Sequence, residues 1–328
     1  MHLPDALISP AVGGAFWAAS AATGAYSARK LERGGVYESG RVPMMGVAGA
    51  FIFAAQMVNI AIPGTGASGH IGGGLLLAAL LGPHAGFLVI CVVLALQALV
   101  FADGGLLALG CNIFNMGFLT CFAAYPLIFK PLTRNGLTKR SALAGSVVGA
   151  AFGAAAGAFS LSAQVFFSGV SSLPFAAFTA LIVPIHIVIG AAEGFVTSAV
   201  LLFLRNELPA FSDEKTNERG GIFRRKKTIV FLASAALVCG GALSVAASSR
   251  PDGLEWSLLR THGGESALEA METDNYGVSA VGVSLSGLAG SGGALALALA
   301  AGLCVKYGGR LLGGKNGRGE AAVGYKGD

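Results

Sequence analysis

The stretch from Gly72 to Phe101, GGGLLLAALLGPHAGFLVICVVLALQALVF, decides the fold. It holds no Asp, Glu, Lys or Arg, and one membrane-spanning helix needs only about 20 mostly apolar residues. The run is therefore too long for a single crossing. Its interruption at Gly82-Pro83-His84 supplies the punctuation, because proline ends a helix before it and readily opens the next one. The pattern predicts a short helix over 72–83 followed by a second over 85–101.

Similar apolar runs lie near 8–26, 43–62, 106–129, 141–167, 175–204, 228–248 and 279–303. With the broken stretch they make about nine membrane segments in an all-α, polytopic helix bundle. Composition agrees: only 12% of the 328 residues are charged, about half the roughly 25% of soluble domains, and the mean hydropathy is +0.70. Gly occurs 50 times, which suits closely approaching membrane helices and has no collagen-like period. Lys and Arg test the count, since they gather in short cytoplasmic loops. Four lie in 27–42, four in 130–140, seven in 205–227 and five after 305, which accounts for 20 of the 22. All four stretches share one side only if 72–101 crosses twice. The N-terminus is then outside and the C-terminus inside. The outer segment 249–278 carries two arginines against six acids, a net charge that would attract cations mildly or simply keep a loop solvated. The net charge of +5 belongs to cytoplasmic loops facing a lipid bilayer, with no basic, aromatic-interleaved patch for nucleic acid.

Met1-His2-Leu3-Pro4-Asp5 has no basic region typical of a cleaved signal, and the bulky His2 is expected to protect Met1 from removal. An α-amine one residue before a histidine is a chelating arrangement. The amine, the deprotonated amide of His2 and its imidazole can form fused rings round one metal, and an all-nitrogen tetragonal set suits Ni(II) or Cu(II). His70, in the Gly-rich outer loop Gly64-Thr65-Gly66-Ala67-Ser68-Gly69-His70, lies on the same side and can supply the fourth donor. The five cysteines fall in or beside apolar runs and read as packing residues.

The opening Met1-His2-Leu3-Pro4-Asp5-Ala6-Leu7-Ile8-Ser9-Pro10 resembles that of the CbiM/NikM family, the substrate-specific components of energy-coupling factor (ECF) transporters for cobalt and nickel. Ser68-Gly69-His70 with Gly73-Gly74, Leu81-Gly82-Pro83, Gln97-Ala98-Leu99 with Phe101-Ala102-Asp103-Gly104-Gly105, Leu109 through Gly117, and His186 through Glu193-Gly194 extend the likeness over about 1–204. Ser249-Arg250-Pro251-Asp252-Gly253-Leu254-Glu255-Trp256 is similar to the PDGLE module. Seven core segments plus two C-terminal ones fit that fusion: a metal-capturing domain 1–204, a basic linker 205–227, an accessory module 228–305 with its outer loop 249–278, and a basic tail 306–328. The family implies a metal held by Met1, His2 and His70. It also implies Ni²⁺ or Co²⁺ as transported ligand with no resident cofactor, and partnership with a transmembrane coupling subunit and two ATPase subunits in a prokaryotic inner membrane, serving cobalamin synthesis or nickel enzymes. Ala6 and His84 depart from the family, which commonly has Gly and an aromatic residue there.

Glu193 is the only acid well inside a span, and His186 lies two turns earlier on the same face. They form either a network behind the metal pocket or a structural contact. Asn112 and Asn115, one turn apart, would hold the N-terminal segment or join helices. Asp103 reads as an outer turn, with metal entry as its alternative. Gly145, Gly149, Gly153 and Gly157 form a packing stripe whose partner is either this chain or another subunit. Ala11, Ala15 and Ala19 form a smaller face, expected to pack within the chain, with docking of the transmembrane coupling subunit as the alternative that the resemblance allows. Gly309–Asn316 has the glycine and lysine spacing of a P-loop but no Ser/Thr and no preceding strand, so it reads as a flexible basic tail and ATP hydrolysis belongs to other chains. No motif supports catalysis. A metal-dependent intramembrane enzyme, with Glu193 as base, and an autonomous cation channel are the alternatives.

Overall fold

A computed structural model describes residues 2–33, 41–207, 218–261 and 283–313. The helices are α1 (Pro10–Arg33), α2 (Arg41–Gln56), α3 (Gly74–Leu81), α4 (Pro83–Val100), α5 (Leu109–Thr133), α6 (Lys139–Ser168), α7 (Phe175–Glu207), α8 (Glu218–Gly241), α9 (Gly253–Leu259) and α10 (Val283–Gly313). Each predicted segment overlaps one of them, although the helices predicted over 43–62 and 228–248 stop early, at Gln56 and Gly241. α4, α5, α6, α7 and α10 are long and apolar enough to cross a bilayer by themselves. The protein is an all-α, multi-pass membrane protein.

The predicted third segment is the exception in form. α3 has eight residues, about 12 Å at 1.5 Å per residue, whereas the hydrocarbon core is about 30 Å thick. The chain before it, Met57 to Gly73, is not helical. It folds into a two-stranded antiparallel ribbon, β1 (Ile60–Ala61) with β2 (Ser68–Gly69), pairing Ile60 with Gly69 and Ala61 with Ser68. Ala67, Ser68 and Gly69 are buried. The other strand, Ile60–Ala61, lies exposed, so only the β2 side of the ribbon is packed against the helices. Gly73, at φ +80°, starts α3, and Gly82, at φ +83°, turns it into α4; a β-carbon on Gly73 would also lie 2.7 Å from Ile52.

Glycines set the helix spacing. Gly145 faces Thr133 and Phe129, Gly149 faces Leu75, and Gly153 faces Thr120 and Ala124, so these three pack within the chain; Gly157 is buried on the same helix. A closer backbone approach joins α6 and α7. β-Carbons on Gly190 and Gly194 of α7 would lie 2.6 Å from the Ala150 carbonyl oxygen and 2.3 Å from the Val147 α-carbon of α6. The C-terminal helices join the core through α2, where Gly46 meets Leu299 and Phe53 meets Gly290, and join each other where Gly240 meets Gly287.

Three expectations change. Ala11, Ala15 and Ala19 lie exposed, because α1 turns Gly13, Ser20, Ser27 and Leu31 inward instead. α10 continues helically through Gly313, so the P-loop-like stretch begins inside a helix; residues 314–328 lie outside the described residues. The segment 249–261 is folded and packed, with Leu254 and Leu258 buried beside Leu3, Leu7 and Leu161, while 262–278 lies outside the described residues. The cysteines are all free; Cys111 and Cys121 are buried, Cys91 and Cys239 half-buried, and Cys304 exposed. His84 fills its aromatic neighbourhood by hydrogen-bonding Ser27 at 3.2 Å and packing on Tyr26 and Phe122.

Candidate metal centre

Met1 lies outside the described residues. From His2 onward the N-terminal segment is pinned to the loop before α5. The Leu3 amide donates to Asn112 Oδ1 at 2.8 Å, and Asn112 Nδ2 donates to the Leu3 carbonyl at 3.1 Å. The Gly105 amide also donates to that carbonyl at 3.0 Å. Asp5 accepts from the amides of Leu106 and Ala108 at 3.1 and 2.8 Å, while Leu3 and Leu7 are buried. Asn112 therefore holds the N-terminus. Asn115 does not; it exchanges hydrogen bonds with Gln164 of α6 at 2.8 and 2.9 Å.

This docking stacks His2 on His70, with ring centroids 5.1 Å apart and planes within 15°. His70 Nδ1 lies 3.0 Å from the Ile71 carbonyl, so that nitrogen carries the proton and Nε2 is the ring's acceptor, the usual arrangement of a metal-ligating imidazole. Burial above all, with neighbouring positive charge that includes His2, holds the His70 imidazole down to about 3, so it is neutral at physiological pH. His2 Nδ1 sits 3.1 Å from Asp103 Oδ1, and His2 Nε2 is buried with no hydrogen-bond partner. Asp103 thus belongs to the site, at a turn where Ala102 takes φ +51°. Dense surroundings oppose its charge, but His2, by charge and hydrogen bond, prevails and lowers its carboxyl to about 2. Chelation through His2 Nδ1 requires the contact with Asp103 to open.

Glu193, near the middle of α7, accepts from the amides of Gly72 and Gly73 at 2.8 and 2.9 Å. Gln56 donates to the Gly72 carbonyl at 2.8 Å, and Gln97 donates to Gln56 Oε1 at 2.8 Å. Three buried polar side chains thus fix the backbone just after His70. Gln56 and Gln97 were legible only as polar residues inside apolar runs, and nothing in the sequence pointed to their partner. His186 does not touch Glu193; its Nδ1 donates to the Ile182 carbonyl at 2.7 Å. Both line a cavity of about 40 Å³ with His70, Asn115, Thr120 and Asp252.

Asp252 brings the C-terminal module to the site, which sequence reading missed. Its carboxylate caps α9 by accepting from the amides of Leu254 and Glu255, while Glu255 accepts from the Asp252 amide at 2.9 Å. The Ser68 amide donates to the Pro251 carbonyl at 2.8 Å, and Ser68 Oγ to the Arg250 carbonyl at 2.7 Å. Trp256 Nε1 donates to the Thr65 carbonyl at 2.8 Å, with the Arg260 guanidinium 4.7 Å above its ring.

Residues 2–210 match the family described as the cobalt uptake substrate-specific transmembrane region. The chain belongs to the CbiM family. Residues 226–307 match the PDGLE domain. A putative fused nickel transport protein of Archaeoglobus fulgidus is 36% identical over 66% of this chain and 69% of its own length. A cobalt transport protein of Sorangium cellulosum is 32% identical over 65% of this chain and 95% of its own. A solved structure of a truncated transition metal transporter, 29% identical, superimposes with a TM-score of 0.55 over 63% of this chain and 99% of that one. This CbiM-family chain is a metal-transport membrane protein with a fused PDGLE domain.

Proposed function

We propose that this chain is the substrate-capturing component of an ECF-type importer in a prokaryotic inner membrane. It takes up Ni²⁺ or Co²⁺ at the outer face through the Met1 amine, the His2 amide and imidazole, and the His70 imidazole. One observation carries this reading: the stacking of His2 on a neutral, oriented His70. A tetragonal all-nitrogen set favours nickel over cobalt. Asn112 and Asp5 hold the first donors, and Glu193, Gln56 and Gln97 hold the last. Glu193 uses both oxygens on backbone amides, which leaves no argument for it as the base of an intramembrane enzyme. Inward release is coupled to a transmembrane subunit driven by two ATPases, for cobalamin synthesis or nickel enzymes. Residues 1–204 form the capturing domain and 228–305 the accessory module, with 205–227 and the tail cytoplasmic. Calorimetry of Ni²⁺ with the purified chain tests this: His70→Ala abolishes tight binding, and unchanged affinity in that variant would overturn the site.

A further inference from the structure

We propose that His186, which lines the same cavity as Asp252, is a second and weaker station for the divalent cation, reached from the outer chelate through that shared cavity. This rests on the capture of such a cation at His2 and His70.

Three observations support it, and a fourth sets how weakly the ion would be held. His186 is 2% exposed, and the Ile182 carbonyl takes the proton of its Nδ1. The lone pair is thereby left on Nε2, which has no hydrogen-bond partner among the described residues. A metal-ligating histidine commonly has its other nitrogen fixed in this way. Next, the space at Nε2 is kept open by a glycine. A β-carbon on Gly253 would stand 3.2 Å from Nε2 and 2.8 Å from Cε1, so any larger residue would cover the nitrogen. The cavity of about 40 Å³ is walled mainly by apolar atoms, with polar groups of Asn115, Thr120, Glu193 and Asp252 set among them besides His70. Since a water needs about 10–15 Å³ of such space, there is room for an ion with one or two waters. Finally, among the described residues no three imidazole, thiol or carboxylate groups converge on one point. An ion at His186 is therefore held by one imidazole, water and a nearby negative charge, a weak association suited to a position that must also let it leave. The PDGLE segment, on this view, is part of the route, supplying the carboxylate and the glycine.

The test uses the full chain, purified in detergent and titrated with Ni²⁺ or Co²⁺ alone. His2→Ala removes the tight event and leaves a weak one. Adding His186→Gln to that variant weakens the remaining event by at least ~10-fold. Asp252→Asn, which keeps the helix cap but removes the charge, weakens it less. Gly253→Ala, outside the helix that carries His186, acts in the same direction as His186→Gln and covers the case in which the latter fails to fold. In the otherwise native chain, His186→Gln leaves the tight affinity unchanged while lowering the initial rate of metal uptake by the reconstituted transporter; a purely structural role would instead lower thermal stability and tight affinity together. No weak event at millimolar metal in His2→Ala, or a weak event indifferent to both His186→Gln and Gly253→Ala, overturns the proposal. Tight binding retained by His2→Ala would count against the outer chelate, and the His186 comparison would still be read from the same titrations.

Discussion

Replacing Asn112 by Ala tests whether docking of the N-terminal segment brings the donors together. Asn112 makes two hydrogen bonds to Leu3, but the Leu3 carbonyl keeps the Gly105 amide as a donor. Only the buried Leu3 amide is stranded. An unsatisfied buried donor costs about 1–3 kcal/mol, which at 1.4 kcal/mol per factor of ten is about 5- to 150-fold in the docking equilibrium. Hydrogen exchange of the N-terminal peptide reads that equilibrium directly, so exchange at residues 3–8 should speed up by this factor while the helical core is unaffected. Nickel affinity scales with the docked fraction and should fall by no more than the same factor. Unchanged exchange in Asn112→Ala would refute the docking role. An affinity loss larger than the change in exchange would show that Asn112 acts on the metal by another route.

Two further expectations concern packing and pH. Gly194→Ala places a β-carbon 2.3 Å from the Val147 backbone, and overpacking of this kind costs about 1–3 kcal/mol, so the midpoint of thermal unfolding in detergent should drop clearly, whereas Gly14→Ala, with open space around it, should be nearly silent. The His70 imidazole titrates near its usual 6.5 when unfolded and at about 3 in the fold. Between those values the unfolded chain binds a proton that the folded one does not, so His70 makes the protein less stable as pH falls from 6.5 towards 3 and has no effect above that window. His70→Gln should flatten the acid side of the stability profile by up to ~1.4 kcal/mol per pH unit; identical profiles would contradict the buried neutral imidazole.

The helices were legible because a membrane crossing demands a long apolar run, and the positions of α4 to α7 followed from hydropathy within a few residues. The break at Gly82-Pro83 was equally plain. What hydropathy did not reveal was that the helix over 43–62 stops at Gln56 and that the chain from Met57 to Gly73 forms a non-helical ribbon before the short α3. That path depends on Glu193 and Gln56 satisfying its backbone, with Gln97 holding Gln56, and each belongs to another helix. The glycine stripe on α6 was visible, while the tighter Gly190 and Gly194 contact went unread although its four-residue spacing is the same. At the site, His2, His70 and Asn112 were recoverable from the terminal sequence and a shared side of the membrane. Asp103 was read as an outer turn with metal entry as its alternative and Asp252 only as part of a motif; their contacts at the site were not legible, because a loop's polar partner is set by tertiary docking. For Ser68 and Pro251 that partner lies more than 180 residues away, where no local pattern reaches.

The account depends most on the Met1 amine as a ligand. Calorimetric titration of Ni²⁺ into a chain extended by one glycine before Met1 tests it directly: the extension keeps every side chain but moves the amine out of the chelate ring. The account predicts that tight binding disappears while the fold and its thermal stability in the absence of metal are unchanged. Native affinity in the extended chain would contradict it.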